Sequence, residues 1–441
     1  MKLDFNRVLP IFALVFVDVL GLTIVLPLLH LYAVTYGATA AEIGLVVAAF
    51  PLAQLIGVPV MGALSDHYGR KPLLLISQIT TCLSFIMLGL ANSLWLIVLS
   101  RLIDGLFGAN IATAQAALSD ITSEENRAQG LGLTGAAFGL GFIFGPLIAI
   151  LTLELSGNNL SLPAFTAAAY SFISILLTLF VFKETLPVEK RGQTGAASPL
   201  LFVQMLSRPG INVLLLLMFV QQLIFFGFES LLGLFTLSRL GLLGQGNALI
   251  FFIVGVILVV IQVRFIGPWS RRYGERRLVF AALALLAGGL ILIAFTPEQP
   301  HPFYVERITL NRLLEQAEIS TTEAILGNIT VPLPDESNRG VLGVLWALIA
   351  IVPLAIGAGL IRPAINSLLT RQVSAQEYGR VLGASSALVS AANAAAPLIG
   401  GLLFQRYGST VPFLGGGLLM GVVLLVSWLA IKPVYQPAVS E

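Results

Sequence analysis

A chain of 441 residues that is 57% hydrophobic and only 10% charged, with a mean hydropathy of +0.93, carries more apolar surface than a soluble interior can hide. A bilayer is the solvent that accepts such a composition. The net charge of +2 gives no footprint for nucleic acid, and the single cysteine, Cys82, excludes an internal disulfide.

Lys2 and Arg7 precede the first apolar stretch, as they would in a signal peptide. That stretch runs from about Val8 to Ala33, too long for a signal core and long enough to span a bilayer, so it reads as a retained first helix. Twelve segments have spanning length: roughly 8–33, 41–63, 73–92, 94–119, 128–153, 164–183, 210–237, 247–267, 277–296, 341–369, 380–404 and 411–431. An even number puts both termini on one side. Sixteen of the 24 Lys and Arg residues collect on that side, against five on the other and three (Arg101, Arg264 and Arg362) within spans. Basic residues mark the cytoplasmic face, so both termini are expected in the cytoplasm; the expected location is the plasma (bacterial inner) membrane.

The stretch from Gly62 to Leu74 is short, polar and doubly basic, between two apolar runs. Gly62 and Gly69 permit a tight turn, Pro72 can open the next helix, and Arg70 and Lys71 favour the cytoplasmic side. Residues 184–209, with Pro187, Lys190, Arg191, Gly192 and Ser198 and no apolar period, read as a cytoplasmic linker. It separates an N-terminal half (1–183) from a C-terminal half (210–441), and the halves echo one another. Gly62 and Gly69 recur as Gly267 and Gly274, offset by 205, while Ser123, Gly132 and Pro146 recur as Ser374, Gly383 and Pro397, offset by 251. The two offsets imply a duplicated unit with added length in the second half, at about 297–340. That insert holds seven acids and three arginines. Phe303 to Ala317 forms an amphipathic pattern through Val305, Ile308, Leu313, Leu314 and Ala317, and reads as an extracytoplasmic cap lying on the membrane surface.

Ionisable groups inside spans are expensive and demand an explanation. Asp18 lies near mid-depth in the first span. It is either a structurally held carboxylate or a group that binds and releases a proton or meets a cationic substrate. Arg101 and Asp104 are three apart on the fourth helix and share a face. They can form a self-satisfying ion pair, or Asp104 can alternate between that partner and a proton. Glu229 stands in the outer half of the seventh span beside Gln221 and Gln222, where it either snorkels or serves the substrate. Arg362 reads as a structural or gating residue on the cytoplasmic side. The fifth span carries Gly132, Gly135, Gly139, Gly141, Gly145 and Pro146, which allow close helix approach and a bend. No GxxxxGK[ST] phosphate loop exists for a primary pump, and no HExxH or GxSxG for an enzyme. The three histidines, His30, His67 and His301, lack metal spacing, so neither cofactor nor metal is expected.

Gly62-x3-Asp66-x2-Gly69-Arg70-Lys71 resembles the signature loop of the major facilitator superfamily between its second and third helices. The resemblance implies an all-α fold of twelve transmembrane helices in two pseudo-symmetric six-helix halves, acting as a monomer. Gly132-x8-Gly141-x3-Gly145-Pro146 is similar to the fifth-helix signature of drug/proton antiporters. Asp18-x2-Gly21-x5-Pro27, and Arg101 with Gly105, Gly108 and Ser119-Asp120, resemble the tetracycline/proton antiporter branch across the first half. This implies a secondary transporter that exports a small amphipathic or drug-like molecule in exchange for protons. By the same resemblance, Asp66 caps a helix of the opposite half in the outward-facing state and Arg70 pairs with Asp120. Asp18 and Arg101 are then needed for transport, on first and fourth helices that line one central cavity. Three departures stand out. Ala149 and Ile150 replace the glycine pair that usually ends the antiporter signature, Ser84 stands where tetracycline exporters carry an acid, and those exporters lack an acid at Asp104. A uniporter, a symporter or a transporter-like sensor is the alternative on the same fold.

Overall fold

A computed structural model describes residues 5–122, 127–192, 207–208, 210–315, 330–370, 372–373 and 378–430. All regular structure among them is helical. Among the described residues, twelve helices are long and apolar enough to cross a membrane: Val8–Val34, Ala40–Tyr68, Arg70–Gly89, Leu94–Ile121, Thr134–Leu155, Ser161–Phe180, Ile211–Leu240, Gly244–Tyr273, Glu275–Ala294, Leu342–Leu369, Gly383–Tyr407 and Thr410–Ala430. They are called here the first to twelfth spans. Part of the linker (193–206 and 209) and part of the insert (316–329), with Ala317, lie outside the described residues.

Three spans are interrupted, each for a local reason. Pro27 removes a backbone donor, and the first span tightens into a single 3-10 turn at Leu26–Leu28. The fourth span breaks between Leu94–Phe107 and Asn110–Ile121. Backbone groups freed at membrane depth need partners, and the third and second spans supply them. Ser77 Oγ donates to the Phe107 carbonyl and accepts from the Ala109 N–H, while Gln54 Nε2 donates to the Gly108 carbonyl. The eighth span carries a π-helical segment at Ile261–Phe265.

The packing repeats between the halves. In the first half, the first span packs on the fifth and sixth, the second on the fourth, and the third on the fourth and sixth. Add six to each of those positions and the same list describes the second half. The halves meet chiefly where the second span crosses the eleventh and the fifth crosses the eighth. Glycine makes both crossings possible. A side chain at Gly44 would strike the Pro397 carbonyl, and one at Gly255 would strike the Phe142 carbonyl.

The sequence placed both Gly62 and Gly69 in the turn after the second span. The structure assigns the turn to Gly69 alone, because the second helix runs unbroken to Tyr68 and the third begins at Arg70. Gly69 has φ 106°, a region costly for any residue with a Cβ, and its counterpart Gly274 has φ 78°. Gly62 lies inside the second helix with no neighbouring element within 4 Å.

Candidate functional site

At the end of the bundle bearing Gly69, the charged side chains neutralise one another within the first half. Arg70 donates through Nε to Asp120 Oδ2 at 2.9 Å and through Nη1 to Asp66 Oδ1 and Ser65 Oγ. Lys71 Nζ donates to the carbonyls of Leu179 and Phe182, both at 2.9 Å, at the exposed end of the sixth span. Glu184, which the sequence reading passed over, ties these together. Its carboxylate accepts from the backbone N–H groups of Arg70, Lys71, Thr185 and Leu186 at 2.9–3.0 Å. Burial alone would raise this carboxyl, but the four N–H donors outweigh it and hold it below its ordinary value of 4.5. The sequence signal was an acid one turn past a span, opposite a basic loop.

At the opposite end the halves are knitted together. Asn247 Nδ2 donates to the Pro27 carbonyl, Gln245 Nε2 to Glu154 at 3.1 Å, and the Ala41 N–H to Gln405 Oε1 at 3.2 Å. His30 packs on Gly233, and Gly244 packs on Leu28, Leu31 and Leu153. The insert reinforces this closure. Its helix, Glu306–Glu315, starts three residues later than the sequence pattern placed it. Leu313 is 1% exposed in a cleft lined by Leu31, Leu153 and Leu160 of the first half and Leu243 and Gly244 of the second. Thr330 Oγ1 donates to the Ala38 carbonyl. The segment therefore clasps the ends of both halves. Arg239, at the end of the seventh span, is 7% exposed here, bonded to Ser409, Thr410 and the Thr296 carbonyl. The bundle is thus closed at the insert end. At the Gly69 end, Gly62, Gly135 and Gly383 face no neighbouring element within 4 Å.

Between these ends, the ionisable groups sit inside the first half. Arg101 and Asp104 are 2% and 3% exposed and pair at 3.3 Å. The Arg101 guanidinium lies 5.2 Å from the Phe85 ring centre. Thr81 of the third span stands beside the Asp104 carboxylate. Both Asp18 oxygens are buried without a hydrogen-bond partner, with Ser174 of the sixth span and Asp104 of the fourth as neighbours. Gly21, one turn further along, packs on Phe85 and the Ala167 carbonyl. Asp18 thus faces Ser174 and Asp104, and Asp104 faces Thr81 of the third span.

The other candidates disperse. Gln221 is buried and donates to Met218 on its own helix. Gln222 donates to Asn393 Oδ1 of the eleventh span at 2.8 Å. Glu229 is half-buried two turns beyond Gln222 on the same face, and Arg362 is exposed on the tenth span. Gly141 packs on Val19 and Gly145 on Thr23, whose Oγ1 donates to the Gly141 carbonyl at 2.9 Å. The glycine stripe thus seats the fifth span against the helix that carries Asp18, while Gly139 faces Val259 of the eighth span. Among the described residues no His, Cys, Asp and Glu side chains group as a metal site.

The family model described as Major Facilitator Superfamily matches residues 11–305 and 337–441, and the unmatched stretch between them falls within the insert. The chain is 27% identical over 410 residues to the class C tetracycline resistance protein of Escherichia coli, covering 92% of this chain and 91% of that protein. It is 26% identical to multidrug resistance protein 2 of Bacillus subtilis (strain 168), covering 97% of each. Among solved structures, the human organic anion transporter MFSD10 (TETRAN) superposes with a TM-score of 0.65 at 23% identity. That match covers 97% of this chain and all of the other. The nucleoside transporter NupG gives a TM-score of 0.71 at 13% identity with the same coverage.

Proposed function

This chain belongs to the major facilitator superfamily, and on that premise we propose that it exports a small amphipathic or drug-like molecule in exchange for protons. It is an integral membrane secondary transporter and not an enzyme. The observation that carries the proton coupling is the buried pair of unequal carboxylates. An antiporter needs an acid that is ionised in one state and protonated in another. Asp18, at mid-depth and without a hydrogen-bond partner, suits that task. Asp104, locked to Arg101 at 3.3 Å, suits a fixed counter-charge. The relatives named for tetracycline and multidrug resistance support a drug-like cargo. Ser84, in place of the exporters' acid, favours the broader multidrug class over tetracycline. Glu229 is the acid placed to meet a cationic part of such a cargo.

In this reading the Gly69 end, with both termini, faces the cytoplasm, and the structure represents the inward-facing state. The experiment is uptake of tetraphenylphosphonium or tetracycline into liposomes holding the purified protein. An acidic interior should drive accumulation that collapses on adding a protonophore. Equilibration at the same rate with no proton gradient would identify a uniporter and overturn the reading.

A further inference from the structure

The polar side chains of the first half form a pattern that its ion pairs do not use. On the sixth span Ser171, Ser174 and Thr178 are spaced three and four apart, so they share one face, and all are 1% exposed or less. Opposite them the third span presents Ser77, Gln78, Thr81 and Ser84, all buried, and the two spans are in close contact. Gln78 Nε2 bridges the stripes by donating to Ser174 Oγ at 2.9 Å. Elsewhere the same groups lack protein partners: Gln78 Oε1, Ser84 Oγ, Ser171 Oγ, Thr178 Oγ1, Arg101 Nη2 and both Asp18 oxygens. A buried polar group that nothing answers is costly, and several in one helical bundle are answered in proteins by bound water. The matching interior of the second half is instead filled by Leu283, Leu286, Leu290, Ile351 and Leu354.

The stripe also has a direction. From Asp18 it passes Ser174, then Gln78 and Thr178, and reaches the last turn of the sixth span. There Lys71 binds the Leu179 carbonyl. We propose that the interior of the first half, between its first, third, fourth and sixth spans, binds a chain of water that carries the proton between Asp18 and the Gly69 end. This route is separate from the substrate path between the halves. The inference rests on Asp18 being the proton carrier. In the transfer, the Asp18 carboxyl gives its proton to the first water. Each water or hydroxyl along the stripe accepts one proton and passes one on, and bulk water at the Gly69 end takes the last. Nothing is oxidised, and every relay group ends as it began.

The test uses the purified full chain in detergent, a pH-sensitive dye and stopped-flow mixing with tetraphenylphosphonium. Thr178→Val keeps the side chain's shape and removes its hydroxyl. It should slow proton release at least tenfold while leaving the total released and the probe's affinity unchanged. Thr178→Ser should restore the rate, which a merely structural loss would not permit. Release from Thr178→Val at the wild-type rate, or a serine variant as slow as the valine one, overturns the relay but leaves antiport standing. No release from the wild type overturns both.

Discussion

Glu184 offers the most direct test of how the first half holds its charged loop. Glu184→Gln keeps size and shape but removes the charge that four backbone N–H groups share. Two of those donors, Arg70 and Lys71, open the third helix, so the carboxylate acts as a helix cap supplied from another element. Hydrogen bonds to a charged group contribute about 1.5–3 kcal/mol when dry, and loss of a cap costs about 0.5–2 kcal/mol. The Glu184 side chain is 25% exposed, so solvent screening discounts the larger figure. The expected cost is about 1–2 kcal/mol at pH 7. The pH dependence has a definite sign. The folded protein holds this carboxyl below 4.5, so its contribution is complete above that value and fades as pH falls through the folded value. Thermal unfolding of wild type and Glu184→Gln in detergent, from pH 7 downward, should show a constant gap that closes only below about pH 4.5. Equal stability at pH 7, or a gap that widens on acidification, would refute the capping argument.

A methyl group at Gly44 would overlap the Pro397 carbonyl oxygen and lie 3.2 Å from Gly401 Cα, and neither backbone can yield. Gly44→Ala should therefore disfavour closure at the insert end by about 1–3 kcal/mol, raising thiol labelling of a cysteine placed at Asn247, 1% exposed in the closed structure, by at least several-fold. Unchanged labelling would contradict it. Leu313→Ala empties a site that both halves line, at a cost of about 2–5 kcal/mol for a buried leucine, and should raise the same labelling. Replacing residues 300–338 with a short polar linker should preserve membrane insertion and partial transport. Complete loss of transport in an inserted, folded protein would move the insert from clasp to mechanism.

The spans were legible because a bilayer admits only long apolar helices, and Gly69 with Arg70 and Lys71 marked a turn that admits only glycine. The break at Gly108 was not legible, because its freed backbone groups depend on Ser77 and Gln54 from two other helices. The depth of Asp18 could be read by counting residues. Its direction could not, because helix phase becomes meaningful only once the neighbours are placed. Ser171, Ser174 and Thr178 likewise look like ordinary small residues of a packed span until the third span sets a polar stripe against them.

The central claim is that Asp18 carries the proton while Asp104 stays bound to Arg101 as a fixed charge. The measurement is proton release on adding tetraphenylphosphonium to detergent-solubilised wild type, Asp18→Asn and Asp104→Asn. The account predicts release from the wild type, none from Asp18→Asn, and release from Asp104→Asn at whatever probe concentration still saturates it. Release that survives in Asp18→Asn and vanishes in Asp104→Asn would contradict it.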